Sequence, residues 1–361
     1  MENKKDKIII FAAGTGGHIY PGLSIAKELI SKNVSVLWIG TKEGIEKNII
    51  ENSGIPIKYI NFSGVRRKGL LSYIKLPVKL IISMFQAFFI IKKYSPSAVL
   101  SMGGYISFPC VLASYALKIP IITHEQNIIF GLANNILRFI SGTVILGMPM
   151  NIRGEKYKFL GNPTRYEDSK IIKKDIKTKK FNILIVGGSL GAKIFNEVIP
   201  QSVYKLIKMT DYEINIIHQT GKTYKIAEMQ YKNFDVNVDL REYIDSMIKA
   251  YEWCDVIVCR GGAITITEIM NLGIPSIIVP YPYATDDHQM KNCRYLENYN
   301  AAIVINQNNF SPDNLTNTFK TLLENRNILK SLSENIINLN TKDSTSNICK
   351  EVISKMRNNK I

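Results

Sequence analysis

Apolar residues along this chain fall in short runs that end in glycine. The run Ile8-Ile9-Ile10-Phe11-Ala12-Ala13 leads into Gly14-Thr15-Gly16-Gly17-His18, and helically spaced apolar positions follow over 21–29. A short unbroken apolar run reads as a strand buried on both faces, as in a parallel sheet. A glycine turn between such a strand and a helix offers backbone N–H groups to an anion with no Cβ in the way. The pattern recurs. Val99-Leu100-Ser101 precedes Met102-Gly103-Gly104-Tyr105, the run 182–186 precedes Gly187-Gly188-Ser189-Leu190-Gly191, and Val256–Cys259 precedes Arg260-Gly261-Gly262-Ala263. Two such turns in each half predict two similar α/β domains facing each other across a cleft.

The rest of the first half alternates in the same way. The patterning predicts strands at 7–12, 34–39, 57–60, 98–101, 121–123 and 142–146, and helices at 21–32, 44–52, 70–93, 107–117 and 130–140. This is the rhythm of a doubly wound parallel sheet. The turn Gly161-Asn162-Pro163 precedes a polar, lysine-rich stretch, which predicts domains over 1–162 and 163–342. The tail 343–361 reads as a charged helix, able to pack on either domain.

Charge changes the picture in one region. The chain has 361 residues and a net charge of +16. Between Glu51 and Glu125 there is no Asp or Glu, while Arg66, Arg67, Lys68, Lys75, Lys79, Lys92 and Lys93 interleave with apolar side chains. The apolar piece 80–91 is far below the ~20 residues that span a bilayer. Apolar residues beside lysines suit a surface lying on an anionic leaflet. A buried helix with a solvated basic end is the alternative for 80–91. No aromatic-rich RNA motif accompanies the charge, so nucleic acid is not expected. The N-terminal apolar run is too short for a signal peptide. The five cysteines have no zinc spacing and read as reduced intracellular thiols.

The motifs exclude some chemistry. A dinucleotide fingerprint needs an acid at the end of the second strand, but that strand ends Trp38-Ile39-Gly40-Thr41 and Glu43 comes late. Neither the glycine turn after 182–186 nor Gly221-Lys222-Thr223 has P-loop spacing. No Asp-x-Asp pair sits at a strand end to hold a metal, and Asp286-Asp287 diverge. Other residues are candidates. His18 is a titratable group at the lip of the first turn. The segment Ala263-Ile264-Thr265-Ile266-Thr267-Glu268 follows a glycine turn and opens a helix, whose N–H groups suit a diphosphate. Glu268 either accepts both ribose hydroxyls or closes a capping box with Thr265 as N-cap. His124-Glu125-Gln126-Asn127 ends a strand and either lines the ligand crevice or anchors a loop. Asp286-Asp287-His288-Gln289 lies at the same edge of the second sheet.

Taken in order, several of these segments carry a resemblance. They are Gly14-Thr15-Gly16-Gly17-His18-Ile19-Tyr20-Pro21-Gly22, Ser63-Gly64-Val65-Arg66, Met102-Gly103-Gly104-Tyr105 and His124-Glu125-Gln126-Asn127. Gly161-Asn162-Pro163-Thr164-Arg165, Gly187-Gly188-Ser189-Leu190-Gly191-Ala192 and Cys259-Arg260-Gly261-Gly262-Ala263 complete the set. From about residue 8 to 300 the chain closely resembles the MurG family of bacterial peptidoglycan glycosyltransferases. The resemblance implies the GT-B fold, two Rossmann-like domains with the site between them. It implies transfer of N-acetylglucosamine from UDP-GlcNAc to the muramyl 4-hydroxyl of lipid I, giving lipid II with inversion, no cofactor and no metal. It places the work at the cytoplasmic face of the membrane, on an anionic surface and in a cell-wall synthesis complex.

By position, it assigns Thr15, Gly16 and Gly17 to the donor and the lipid diphosphate, and His18 as base candidate. It assigns Gly14, Gly103, Gly104 and Tyr105 to the acceptor diphosphate and Asn127 and Gln289 to the sugar. Arg165 and Ser189 fall on the nucleotide side, and the Ile244 backbone on the uracil. Ala263, Ile264, Thr265, Ile266, Thr267 and Glu268 form the diphosphate and ribose site. Gly262 stands where many relatives have serine, and Asp287 where others carry another polar residue. A UDP-GlcNAc 2-epimerase, or a glycosyltransferase with another lipid acceptor, keeps the fold and is the competing reading.

Overall fold

The structure, a computed structural model, describes residues 6–64, 75–167, 169–172, 178–188 and 190–358. The chain divides into two compact units, Met1–Glu167 with Thr341–Ile361, and Asp168–Asn340.

The first unit is a seven-stranded sheet in the order β3-β2-β1-β4-β5-β6-β7. Its strands are β1 (Lys7–Phe11), β2 (Ser35–Gly40), β3 (Ile57–Tyr59), β4 (Ala98–Ser101), β5 (Ile121–Glu125), β6 (Thr143–Leu146) and β7 (Tyr157–Phe159), all paired in parallel. Helices α1 (Gly16–Ser31), α2 (Glu46–Glu51), α3 (Leu76–Tyr94), α4 (Ser107–Ala116) and α5 (Leu132–Leu137) connect them. The unbroken run of β1 has a simple cause: Ile8 and Ile10 enter the core on one face of the sheet, and Ile9 and Phe11 the core on the other.

The second unit repeats this order with six parallel strands, β10-β9-β8-β11-β12-β13. They are β8 (Lys180–Val186), β9 (Glu213–Gln219), β10 (Asp239–Arg241), β11 (Val256–Cys259), β12 (Ser276–Ile278) and β13 (Ile303–Val304). Its helices are α6 (Lys193–Met209), α7 (Tyr224–Asn233), α8 (Met247–Trp253), α9 (Ala263–Leu272), α10 (His288–Asn298), α11 (Pro312–Glu324) and α12 (Asn327–Asn338). The last helix, α13 (Ser344–Asn358), returns to the first unit. Ile348, Val352 and Met356, spaced by four, join the core around Ile8 and Ile10. Glu167 accepts from the Thr345 backbone N–H at 3.1 Å and so caps that helix. Burial raises the pKa of its carboxyl above the ordinary value.

Three local expectations are corrected. Pro21 does not open α1, which starts at Gly16, so the proline sits inside the helix and leaves the Gly17 carbonyl without its i+4 donor. Strand β7 was not predicted; it is a three-residue edge strand, and Lys158 in it pairs with Glu351 of α13 at 2.6 Å. Helix α3 starts at Leu76, with 65–74 outside the described residues. It is not a buried helix with a solvated basic end, since its apolar residues divide between core and surface. Ser83, Ala87 and Ile91 face the core, while Val78, Ile81, Ile82, Phe85 and Phe89 are exposed on the opposite side.

Candidate active site

In an open parallel sheet, the crevice lies beyond the carboxyl ends of the strands where the order reverses. In the first unit that point falls between β1 and β4, which are direct neighbours with Phe11 beside Ser101. In the second it falls between β8 and β11, with Val186 beside Cys259. All four glycine turns leave these four strands. The sequence pattern therefore marks the two switch points of the molecule.

In the first unit the two turns lock together. A Cβ on Gly103 would lie 3.3 Å from the His18 ring, and one on Gly104 would lie 3.0 Å from the Ala13 carbonyl oxygen. Both glycines have positive φ, as does Gly14 at 101°. Thr15 is the N-cap of α1, and its carbonyl accepts the His18 N–H at 3.1 Å. The Gly16 and Gly17 N–H groups are left at the helix mouth, where the dipole favours an anion. His18 is half-buried and its Nδ1 lies 3.0 Å from the Met102 carbonyl oxygen. A carbonyl only accepts, so Nδ1 carries the proton and Nε2 the lone pair of the neutral ring. That is the tautomer a general base needs. Arg165 stacks on the Tyr20 ring at 4.6 Å, and the same ring covers Gly16. Arg165 thus stands beside this turn and belongs to the first unit.

The run that ends β5, His124 to Asn127, resolves chiefly as anchoring. His124 is fully buried and its Nε2 donates to the Gly161 carbonyl at 3.2 Å. Burial lowers its pKa to about 4, with the neighbouring His18 adding to the effect. Glu125 is buried and accepts from Asn127 N, Asn127 Nδ2, Gly131 N and Asn134 Nδ2. Gln126 donates to the Met102 carbonyl at 2.6 Å, the same oxygen that orients His18. Asn127 alone of the four is half-buried, held by Glu125 at the crevice edge.

In the second unit the first turn is braced from behind. A Cβ on Gly191 would lie 1.9 Å from the Thr220 carbonyl oxygen, and one on Gly221 would lie 2.1 Å from that of Leu190. The Gly191 N–H is spent on Gly188 at 2.8 Å, which removes it from the donors available to a phosphate. Ser189 lies outside the described residues. The second turn leads into α9, whose N-cap is Gly262, with no side-chain cap bond. This removes the capping box: Thr265 is the third residue of the helix and Glu268 the sixth. Ala263, Ile264 and Thr265 carry the N–H groups without an intrahelical partner. Ile266 N bonds back to Gly262 at 3.0 Å, and the Thr267 hydroxyl to Ala263 at 2.9 Å.

Glu268 is 7% exposed, and one carboxylate oxygen accepts the Tyr251 hydroxyl at 2.8 Å. Tyr251 is a partner that the sequence did not single out. Gln289 fixes the Tyr281 N–H with its side-chain carbonyl at 2.9 Å, which turns its amide N–H groups elsewhere. Arg260 bridges the Val279 carbonyl and the Phe195 ring, and burial lowers its pKa to about 10. The Ile244 side chain is buried. Asp286 and Asp287 both have left-handed backbone, at φ 53° and 56°, a strained pair before α10. Among the described residues no group of three His, Cys, Asp or Glu is placed to hold a metal ion.

Comparison with known proteins agrees with this layout. Residues 8–145 match the glycosyltransferase family 28 N-terminal domain and residues 182–348 its C-terminal domain. The chain is 35% identical to the UDP-N-acetylglucosamine–N-acetylmuramyl-(pentapeptide) pyrophosphoryl-undecaprenol N-acetylglucosamine transferase of Psychromonas ingrahamii, over 98% of this chain and 100% of that one. It is 39% identical to the enzyme of the same name from Haemophilus ducreyi, over 93% and 94%. The crystal structure of Acinetobacter baumannii MurG superposes with a TM-score of 0.80 at 30% identity, covering 97% and 99%. A UDP-GlcNAc 2-epimerase from Neisseria meningitidis shares the fold alone, with a TM-score of 0.66 at 14% identity and 97% and 100% covered. Two α/β units with paired glycine turns at both switch points, matched end to end by these relatives, make this chain a member of glycosyltransferase family 28, in the MurG family of N-acetylglucosaminyltransferases.

Proposed function

We propose that the chain transfers N-acetylglucosamine from UDP-GlcNAc to the 4-hydroxyl of the muramyl sugar of lipid I, forming lipid II. The observation that carries this is the 35% and 39% identity, over 98% and 93% of this chain, to transferases of that name. The acceptor oxygen attacks the anomeric carbon from the face opposite UDP and forms the new C–O bond, with inversion. The bond to the diphosphate breaks and its electron pair leaves with UDP. His18 Nε2 takes the acceptor proton, a role supported by the carbonyl that holds Nδ1. The N–H groups of Ala263–Thr265 and the dipole of α9 meet the departing charge, and one such donor is worth about 3 kcal/mol. Glu268 takes the ribose hydroxyls and Gln289 and Asn127 the sugar. No step calls on a metal.

The same reading places the work on an anionic membrane surface. Helix α3 supports it: Phe85 is 54% and Phe89 66% exposed, with Lys79, Lys92 and Lys93 exposed around them. Among the described residues no helix is long and apolar enough to cross a membrane. The test is the product. Proton NMR of the disaccharide should show a β linkage to C4 of the muramyl sugar; an α linkage, or a product epimerised at C2 of the donor, would overturn the reading.

A further inference from the structure

The second acid after β2, Glu46, turns back into the fold. It is fully buried, and its Oε1 accepts the Thr41 N–H at 2.9 Å and the Thr41 hydroxyl at 2.7 Å. Its Oε2 accepts the Gly14 N–H at 3.3 Å. Two glycines make room for it: a Cβ on Gly44 would lie 1.9 Å from Oε2, and one on Gly40 would lie 2.9 Å from Cγ. Thr41 Oγ1 also lies 3.2 Å from the Tyr105 hydroxyl. One buried carboxylate thus ties together the loops that follow β1, β2 and β4.

The direction of this chain is fixed by proton counting. The threonine hydroxyl has one proton and gives it to Glu46. The Tyr105 hydroxyl must therefore donate to Thr41, which leaves its oxygen lone pairs as acceptors. Tyr105 is half-buried, against Gly14 and Gly64. The Gly14 N–H, already on a carboxylate, is also withdrawn from anion binding. Phosphate oxygens are acceptors and match neither group. We propose that Glu46 is a positioning residue that sets Tyr105 as a hydrogen-bond acceptor, so that this corner recognises a hydroxyl or amide N–H of the acceptor sugar and not the lipid diphosphate. The proposal rests on the lipid I reading and deepens it.

The test uses steady-state transfer to a lipid I analogue by full-length Thr41→Val, Tyr105→Phe and the double variant. Each single change should lower kcat/KM for the acceptor about tenfold and leave KM for UDP-GlcNAc within twofold. The double variant should be no worse than the poorer single, since both break one chain. Thr41→Val with full acceptor kcat/KM, multiplicative losses in the double, or equal losses for donor and acceptor would each overturn the proposal. A second readout needs no turnover: Glu46→Gln should speed hydrogen exchange at the Gly14 amide, and an unchanged rate would refute the contact. Absence of transfer by the unaltered chain would instead end the lipid I reading, while the Gly14 exchange still tests the network.

Discussion

Glu268→Gln is the sharpest probe of the donor half-site. The carboxylate is nearly excluded from water, and Tyr251 holds one of its oxygens. A ribose diol would add two hydroxyl donors, each charge-assisted bond contributing about 1.5–3 kcal/mol. Glutamine retains one acceptor, enough for Tyr251 or one hydroxyl. It turns the other position into a donor facing a donor. The expected loss is about 2–4 kcal/mol, or roughly 30- to 1,000-fold in affinity for UDP-GlcNAc. Isothermal titration with UDP measures this directly, and thermal unfolding provides the control. Because Gly262 caps α9, no helix cap is lost, and the melting temperature should move little. Tyr251→Phe should cost about 1 kcal/mol of UDP affinity through loss of one orienting bond. Unchanged UDP affinity in Glu268→Gln, with a large drop in melting temperature, would refute the ribose assignment and leave Glu268 a core residue.

Three further outcomes are expected. His18→Ala should lower kcat at least ~100-fold with UDP affinity nearly kept, and unchanged turnover would remove His18 from the chemistry. Phe85→Ser with Phe89→Ser should weaken binding to anionic vesicles ~100-fold, from about 3 kcal/mol of half-inserted ring surface. Equal sedimentation with the vesicles would exclude α3 as the contact. His124 and His218 are buried neutral, with burial lowering their pKa to about 4 and about 3. Below the unfolded value near 6.5 the unfolded chain binds protons that these rings refuse, so stability is full above that pH and falls as pH drops. Denaturant unfolding at pH 7 and pH 5 should differ by about 2 kcal/mol for each ring, and a flat profile would contradict their neutral burial.

The fold was legible because its strands are short, apolar on both faces and punctuated by glycine. The same punctuation located both switch points. Features that depend on a partner far along the chain were not legible. Edge strand β7 has a mixed Tyr157-Lys158-Phe159 sequence, and Lys158 finds its partner 193 positions away, in α13. The start of α1 was hidden by Pro21, which reads as a first-turn residue yet lies in the second turn. The capping box at Thr265 and Glu268 had the right letters, but Gly262 already serves as N-cap. Glu46 is not legible in the sequence, because the acid of a nucleotide fold belongs at the end of β2 and Glu46 lies six residues beyond it. Its signal was the spacing of Gly40 and Gly44, glycines that a solvent-facing acid would not require.

The most direct measurement follows the sugar itself. UDP-GlcNAc labelled in the sugar is incubated with a lipid I analogue, with and without EDTA, and the lipid fraction is counted. The account predicts equal label in the lipid under both conditions. Label that stays with the nucleotide, or that reaches the lipid only without chelator, would contradict it.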